Sequence, residues 1–221
     1  MKKILIFGSG SHSKVVFSEI INLKKYKVIG FIDEDKKINK KIINYKKKDY
    51  KILGKIRDIK KIKFDCAVIG VGDNSIRKKI KDKAEIVKRN IKWEKIISKN
   101  AKVSINVKIG NGTVIISGSN INVGAIIGAH CLINSCSSID HDNILQDFSS
   151  TGPGVVTGGN VSIGKYSHLG IGSKIKNNVV IDANTIIGGN SFVNKNCKNN
   201  SIYFGVPAKF IKKRLKFDKY L

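Results

Sequence analysis

The stretch that decides the fold is Ile115-Ile116-Ser117-Gly118-Ser119-Asn120-Ile121-Asn122-Val123-Gly124-Ala125-Ile126-Ile127-Gly128-Ala129-His130-Cys131-Leu132-Ile133. An aliphatic side chain recurs at every sixth position (115, 121, 127, 133), and four residues after each stands a small one: Ser119, Ala125, Cys131. Outward from this stretch the ladder reaches back through Ile109 and Val103 to Ile97. It runs forward through Ile139, Leu145, Ile163, Leu169, Ile175, Ile181 and Ile187 to Val193. Only Thr151 and Thr157 interrupt the 17 units, and Asn143 is the awkward member of the small-residue column. The third position after each aliphatic is Asn or Gly in 12 of the 17, residues that tolerate a left-handed corner. A period of six fits neither the 3.6 of a helix nor the alternation of an isolated sheet. Each hexad therefore supplies one short strand and one corner of a parallel β-solenoid, aliphatic side inward, with stacked strands about 4.8 Å apart. Cys131 and Cys197 fall on small interior positions and are read as packing.

The first half follows another pattern. Lys3 to Phe7 reads as a strand, Gly8-Ser9-Gly10-Ser11-His12-Ser13 as a turn, and Lys14 to Leu23 as a helix with apolar residues at Val15, Val16, Ile20 and Leu23. Val28 to Ile32 and Phe64 to Val71 are further strands, and a helix is expected from Ser75 to about Arg89. The lysine-rich run from Lys36 to Asp49 is expected to be a mobile loop. Alternating strands and helices predict a parallel sheet with a nucleotide site at the strands' carboxyl ends. That places Gly8, Gly10, Ser11 and His12 after the first strand, Asp33 after the second, and Asp73 and Asn74 after the third in candidate substrate-binding positions. The third glycine of a dinucleotide fingerprint is missing, since Ser13 holds its place. What remains is a helix amino terminus fit for one pyrophosphate, with an acid about 20 residues on. The expected organisation is a Rossmann-like domain over 1–92, a β-helix over 93–200 and a tail over 201–221.

A net charge of +26 invites a nucleic-acid or membrane reading, but its source is lysine: 38 Lys against 4 Arg, beside 38 Ile, a pairing that A- and T-rich codons produce. Of the 42 basic residues 28 precede Ile97, and none lies between Lys108 and Lys165. Bidentate base readout needs Arg, so neither nucleic acid nor membrane is an expected partner. No apolar run approaches a membrane span, and a cytoplasmic location is expected. The four cysteines lack Cys-x-x-Cys spacing, which argues against disulfides and zinc.

Several motifs together carry a resemblance. These are the Gly8-to-Lys14 turn, the hexads, Ile139-Asp140-His141-Asp142, the stretch Pro153 to Gly159 and Gly205-Val206-Pro207-Ala208-Lys209. The chain resembles, over nearly its whole length, the bacterial sugar acetyltransferases with a left-handed β-helix. Within these it is most similar to the N-acetyltransferases of UDP- or GDP-linked 4-amino-dideoxy sugars; the sialic acid O-acetyltransferases share the layout and are the alternative. The resemblance implies acetyl-CoA as co-substrate, no metal, and a homotrimer with active sites between subunits.

By the same resemblance His141 is the general base, a neutral imidazole being suited to take a proton near pH 7. Asp142 holds the place of the orienting acid, with Asp140 a second candidate. The resemblance also implies that three hexads close one coil, which would stack Gly159 over His141 with its backbone N–H placed for the thioester oxygen. Asn134, Ser150, Gly159 and Gly172 are the expected cofactor-binding positions; Ser150 stands where the family often has histidine. His12 matches a turn histidine expected near the nucleotide phosphates, and Ser11 replaces the usual glycine before it. Thr151 and Thr157 suggest a local loop near the site. A metal hydrolyase on the same solenoid would need converging histidines, and the nearest pair, His130 and His141, is eleven residues apart. A purely structural solenoid would need neither the nucleotide-type domain nor an acid-flanked histidine.

Overall fold

The computed structural model describes residues 1–215. The chain opens with β1 (Lys2–Phe7), α1 (Ser11–Asn22), β2 (Tyr26–Ile32), β3 (Lys41–Tyr45) and β4 (Lys48–Gly54). After a 3-10 turn at Ile56–Lys61 come β5 (Cys66–Ile69) and α2 (Asn74–Val87). These five strands form one sheet in the order β3-β4-β2-β1-β5, parallel except for the β3–β4 hairpin. β1 lies inside the sheet between β2 and β5 and is wholly apolar from Ile4 to Phe7, as a parallel strand covered on both faces must be.

The lysine run is not a loop. Residues from Lys41 onward form the β3–β4 hairpin, turning at Lys46 and Lys47 with φ of 48° and 60°. Two successive left-handed residues are the tight-hairpin geometry usually written Asn-Gly. With lysine at both positions the sequence carries no such mark.

From Ile96 to Val193 seventeen two-residue strands follow at six-residue intervals. Each pairs in parallel with the strand eighteen residues away, as in Asn120↔Ser138, Ile126↔Ile144 and Leu132↔Val114. Three hexads therefore make one coil, and three sheets make the faces of the left-handed β-helix. The aliphatic column from Ile115 to Val193 is at most 3% exposed and packs on the small column between successive aliphatics. Every corner residue from Asn106 to Asn190 in the third position has positive φ. Five of these fifteen are neither Asn nor Gly: His130, Cys136, Asp142, Phe148 and Tyr166. Three of the five, at eighteen-residue spacing, stack their rings: His130 on Phe148 at 5.0 Å and Phe148 on Tyr166 at 5.6 Å. Trp93 caps the stack edge-on at 5.3 Å from His130.

The expected local loop at Thr151 and Thr157 is absent. Both residues continue the solenoid in the strands Ser150–Thr151 and Val156–Thr157, with side chains buried in the aliphatic column. A threonine has a branched aliphatic's shape and fits the same interior slot. A hairpin of Ser201–Gly205 and Ala208–Lys213 closes the described chain against the strand Ile186–Ile187. Residues 216–221 of the expected tail lie outside the described residues.

The α/β unit rests on the solenoid through apolar contact and one buried cation. Val16, Phe17 and Ile20 of α1 share a core cluster with Val114, Ile116 and Leu132. Arg77 of α2, 3% exposed, donates to the carbonyls of His130 (3.0 Å), Phe148 (3.2 Å) and Ser149 (3.2 Å), and to those of Val71 and Gly72 on its own side. Asn74 accepts from Arg77 at 2.6 Å and donates to Ser167 O at 3.0 Å.

Three histidines lie in or beside this seam, and burial first, then the charge of nearby cations including Arg77, holds them neutral. His12 and His130 are lowered to about 4 and His168 to about 3. An unfolded chain binds those protons near pH 6.5. The associated stability is therefore complete above pH 6.5 and is lost as pH falls from there toward about 4. The melting temperature should drop by at least about 5 °C between pH 7 and pH 5, as three uneven titrations imply for a chain of this size. A flat melting profile by calorimetry across that range would show that these histidines titrate normally.

Candidate functional site

His141 stands at a solenoid corner, two residues past inward-facing Ile139, with its side chain 48% exposed. Asp142, next in sequence, occupies the left-handed corner position with φ 56°. That conformation brings its carboxylate back to the preceding ring, with Oδ2 2.9 Å from His141 Nδ1. The hydrogen bond to Asp142 raises the pKa of His141 above the ordinary histidine value. With Nδ1 engaged, Nε2 is the ring nitrogen left to accept a proton. Gly159 lies directly over it: a Cβ at residue 159 would come within 2.4 Å of His141 Nε2 and Cε1. Only glycine leaves room for the imidazole here.

Asp140, the second candidate partner, turns elsewhere. Its Oδ1 accepts from Asn122 Nδ2 and from the His141 backbone N–H, both at 2.8 Å, and the Asn122 bond first, then the backbone bond, lowers its pKa. It therefore anchors the turn, and Asp142 contacts the ring. Sequence reasoning missed Asn143, the awkward interior residue. Its buried amide donates to the carbonyls of Asp140 (2.9 Å), His141 (3.1 Å) and Gly158 (2.9 Å), pinning the turn from inside. The signal was present as a bulky polar residue in a small-residue column directly after the histidine.

In the α/β unit a cavity of about 340 Å³ opens at the carboxyl ends of β1 and β2, lined by Gly8, Ser9, Gly10 and Asp33 with Lys79 and Lys83 opposite. Gly8 has φ +92°, and a Cβ would meet Val71 at 2.5 Å; Gly10 caps α1 with open space where its Cβ would stand. Ser11 begins α1 and is exposed. Ser13, in the missing third glycine's place, packs against Gly70, which supplies the close approach from the other side. Asp33 Oδ2 accepts from the Ser9 hydroxyl, and Oδ1 from the N–H groups of Asp35 and Lys36, each at 3.1 Å. Burial pushes this carboxyl upward, but these bonds prevail and hold it below the usual range.

The remaining expected residues are placed differently. His12 does not face the glycine-lined cavity; it borders a cleft of about 580 Å³ with Asn134, Thr151, Gly152 and Gly170 of the solenoid. Gly172 forms the next corner beyond Gly170 and Ile171, which line that cleft. Asp73 is the amino-terminal cap of α2, accepting from the Ile76 N–H at 2.9 Å. Ser150 is 1% exposed beneath the α/β unit, bonded to Asn74 Oδ1 and His168 Nδ1 at 2.8 Å each. In the single chain Ser150 and Asn74 are thus buried in the seam, with Ser150 next to Thr151 and bonded to His168, two residues that line the cleft. His141, Asp142 and Gly159 share one corner, whereas Asn134 and His12 share a cleft at another. Among the described residues no three His, Cys, Asp or Glu side chains are grouped to hold a metal ion, and no helix is long and apolar enough to cross a membrane.

Residues 3–84 match the PglD N-terminal domain family. Among solved structures, a histidine-to-alanine mutant of GDP-perosamine N-acetyl transferase from Caulobacter crescentus, in complex with CoA and GDP-perosamine, is 26% identical with a TM-score of 0.88, over 96% of this chain and 98% of that one. The acetyltransferase domain of PglB from Neisseria gonorrhoeae FA1090, in complex with acetyl coenzyme A, is 24% identical with a TM-score of 0.87, over 95% and 99%. WeeI from Acinetobacter baumannii AYE shares the fold at 20% identity and a TM-score of 0.81, over 96% and 100%. The chain thus carries a PglD N-terminal domain on a left-handed β-helix with an acid-paired histidine at its corner, and it is similar over nearly its whole length to sugar acetyltransferases of the hexapeptide-repeat family.

Proposed function

We propose that the protein transfers the acetyl group of acetyl-CoA to the amino group of a nucleotide-linked 4-amino-dideoxy sugar, with His141 as general base. The observation that carries this reading is the His141–Asp142 pair, with Nε2 left free beneath Gly159. Asp142 fixes the tautomer with the proton on Nδ1, so that Nε2 accepts. As the sugar nitrogen bonds to the thioester carbon, Nε2 takes the proton that nitrogen sheds. The Gly159 N–H, engaged by no other described residue, donates to the oxygen that gains charge in the tetrahedral intermediate. Collapse breaks the C–S bond, and the departing thiolate takes a proton from solvent. No acyl-enzyme is required.

The glycine-lined cavity at Gly8, Gly10 and Asp33 is assigned to the carrier nucleotide, its pyrophosphate on the amino terminus of α1. Asn134 and the cleft walls at Gly170 and Gly172 are assigned to the cofactor arm. GDP-perosamine bound with CoA in the Caulobacter crescentus neighbour supports an amino-sugar acceptor. Because the His141 corner and the Asn134 cleft lie apart in one chain, the working site is assigned to the junction between neighbouring copies in a homotrimer, each solenoid face meeting its equivalent by cyclic symmetry.

The reading predicts CoA thiol release from acetyl-CoA when GDP-perosamine or a UDP-linked 4-amino sugar is added, and none with free sialic acid. Release with sialic acid alone would favour O-acetylation. Light scattering should give three times the 24.4 kDa chain mass, and a monomer with full activity would refute the shared site.

His141→Ala should lower kcat by about 10²- to 10⁴-fold with little change in either KM, the usual worth of a positioned base. Since Asp142 raises the His141 pKa, activity should rise with pH along a limb centred above 6.5. Asp142→Asn removes that support, so the limb should move to lower pH while kcat falls less than in His141→Ala. An unmoved limb in kcat profiles from pH 5.5 to 9 would dissociate Asp142 from the base.

A further inference from the structure

Two interior threonines join successive coil layers in a way their neighbours do not. At adjacent corners the N–H after the inward aliphatic donates to the carbonyl seventeen residues on: Asn122 to Ile139 (2.9 Å), Gly128 to Leu145 (2.7 Å), Gln146 to Ile163 (2.9 Å). Two corners depart from this. The Asn134 N–H donates to the Thr151 hydroxyl at 3.0 Å, and the Asp140 N–H to the Thr157 hydroxyl at 3.1 Å. The strand register contracts to match, leaving only Leu132↔Ser150 and Ser138↔Val156 paired at these places. On two of the three faces these layers are linked through side chains, and the third keeps its backbone bond.

Stability does not ask for this. The other members of the column are aliphatic, and one at either position would bury more apolar surface. A local rule broken without gain in packing points to function. The Thr157 exception falls on the residue that begins the catalytic turn. Its hydroxyl accepts from Asp140 and lies 3.4 Å from Ser138 O, so it brackets Ile139 from above. With the Asn143 amide inside and the Asp142 N–H on Val123 O at 3.0 Å, every peptide of the turn is tied.

We propose that Thr157 is a positioning residue for acetyl transfer: its hydroxyl, standing in for a ladder carbonyl, sets the height of the Asp140–Asp142 turn and so the aim of His141 Nε2 beneath Gly159. This rests on the reading of His141 as the base. Asn143 completes the same support.

Thr157→Val keeps the shape and removes the hydroxyl, leaving the residue's own carbonyl as the remaining acceptor for the Asp140 N–H and drawing the turn into ordinary register. The variant should melt at or above the wild-type temperature, yet lose about 10- to 10²-fold in kcat, the scale of an ångström-level misplacement. KM for acetyl-CoA and for the best acceptor among GDP-perosamine and the UDP-linked 4-amino sugars should stay within about twofold of wild type, because ground-state binding does not depend on the base's aim. Thr157→Ser keeps the hydroxyl and loses a buried methyl, so it should melt lower and keep kcat within about threefold, since the base stays aimed. Activity and stability thus move in opposite directions, which a merely structural threonine would not produce. Wild-type kcat in Thr157→Val, an equal loss in Thr157→Ser, or a melting temperature well below wild type in Thr157→Val would overturn the assignment. His141→Ala assayed alongside separates the two claims: if it is active the base is misassigned, and if it is inactive while Thr157→Val is unimpaired only the positioning role fails.

Discussion

The structure depends on one backbone constraint: an N–H in one coil must meet a carbonyl seventeen residues ahead, on the strand above. A buried or paired backbone leaves few groups unsatisfied, so a solenoid can persist only if each coil takes the same number of residues. Eighteen is that number, and the hexad is its third part. Corners then fall at a fixed place in every hexad, and each must turn with a left-handed residue. Asn and Gly make that turn at little cost, whereas other residues carry a penalty of about 1–2 kcal/mol. His130, Phe148 and Tyr166 offset it by stacking, because residues eighteen apart lie one above another. Asp142 turns its own backbone conformation to use, since it is what folds the carboxylate onto His141.

The same periodicity governs how the α/β unit is carried. Arg77 reaches into the solenoid at the carbonyls of His130, Phe148 and Ser149, which the eighteen-residue stacking places side by side. A buried guanidinium is tolerated when its donors are all engaged, and here carbonyls engage them from both units. Burial first, and then nearby cations including Arg77, hold the neighbouring histidines neutral, and the bonds of Arg77 fix the seam that encloses Ser150 and Asn74. Ser150 and Asn74 join the two halves there, the Ser150 hydroxyl donating to Asn74 Oδ1 at 2.8 Å.

The acid–histidine pair falls where the repeat is disturbed. Between Asn134 and Gly159 the aliphatic column yields to threonine twice, the small column admits Asn143, and the corner column admits Cys136, Asp142 and Phe148. Thr151, Thr157, Asn143 and Asp142 give up some regularity in exchange for a hydrogen bond, and Phe148 for ring contacts with His130 and Tyr166. The stretch is also free of Lys and Arg, so the acid–histidine pair lies apart in sequence from the chain's cationic coat. Asp140 and Asp142, nearly identical in sequence context, take different tasks because one lies on the strand end and reaches sideways to Asn122, while the other lies on the corner and folds back.

The solenoid was legible from residues 97 to 193 alone, because a period of six imposes a physical repeat that neither helix nor meander can satisfy. So were β1, α1, β2, β5 and α2, whose apolar spacing and glycine turns are local properties. The β3–β4 hairpin was not, since Lys46 and Lys47 adopt a turn that only pairing with β2 selects. Thr151 and Thr157 were visible as exceptions, but their meaning as bridges between layers needed the neighbouring coil in place. His141 beside Asp142 could be named from sequence, whereas the choice of Asp142 over Asp140 as its partner depended on the corner's backbone. The burial of Ser150 was decided by Asn74 and Arg77 of α2, which meet Ser150 and Ser149 only across a domain boundary and more than 70 residues of chain. Sequence determines what is repeated or contiguous, because those contacts are local or periodic; side chains joined by long-range packing acquire their roles only when the whole chain has folded.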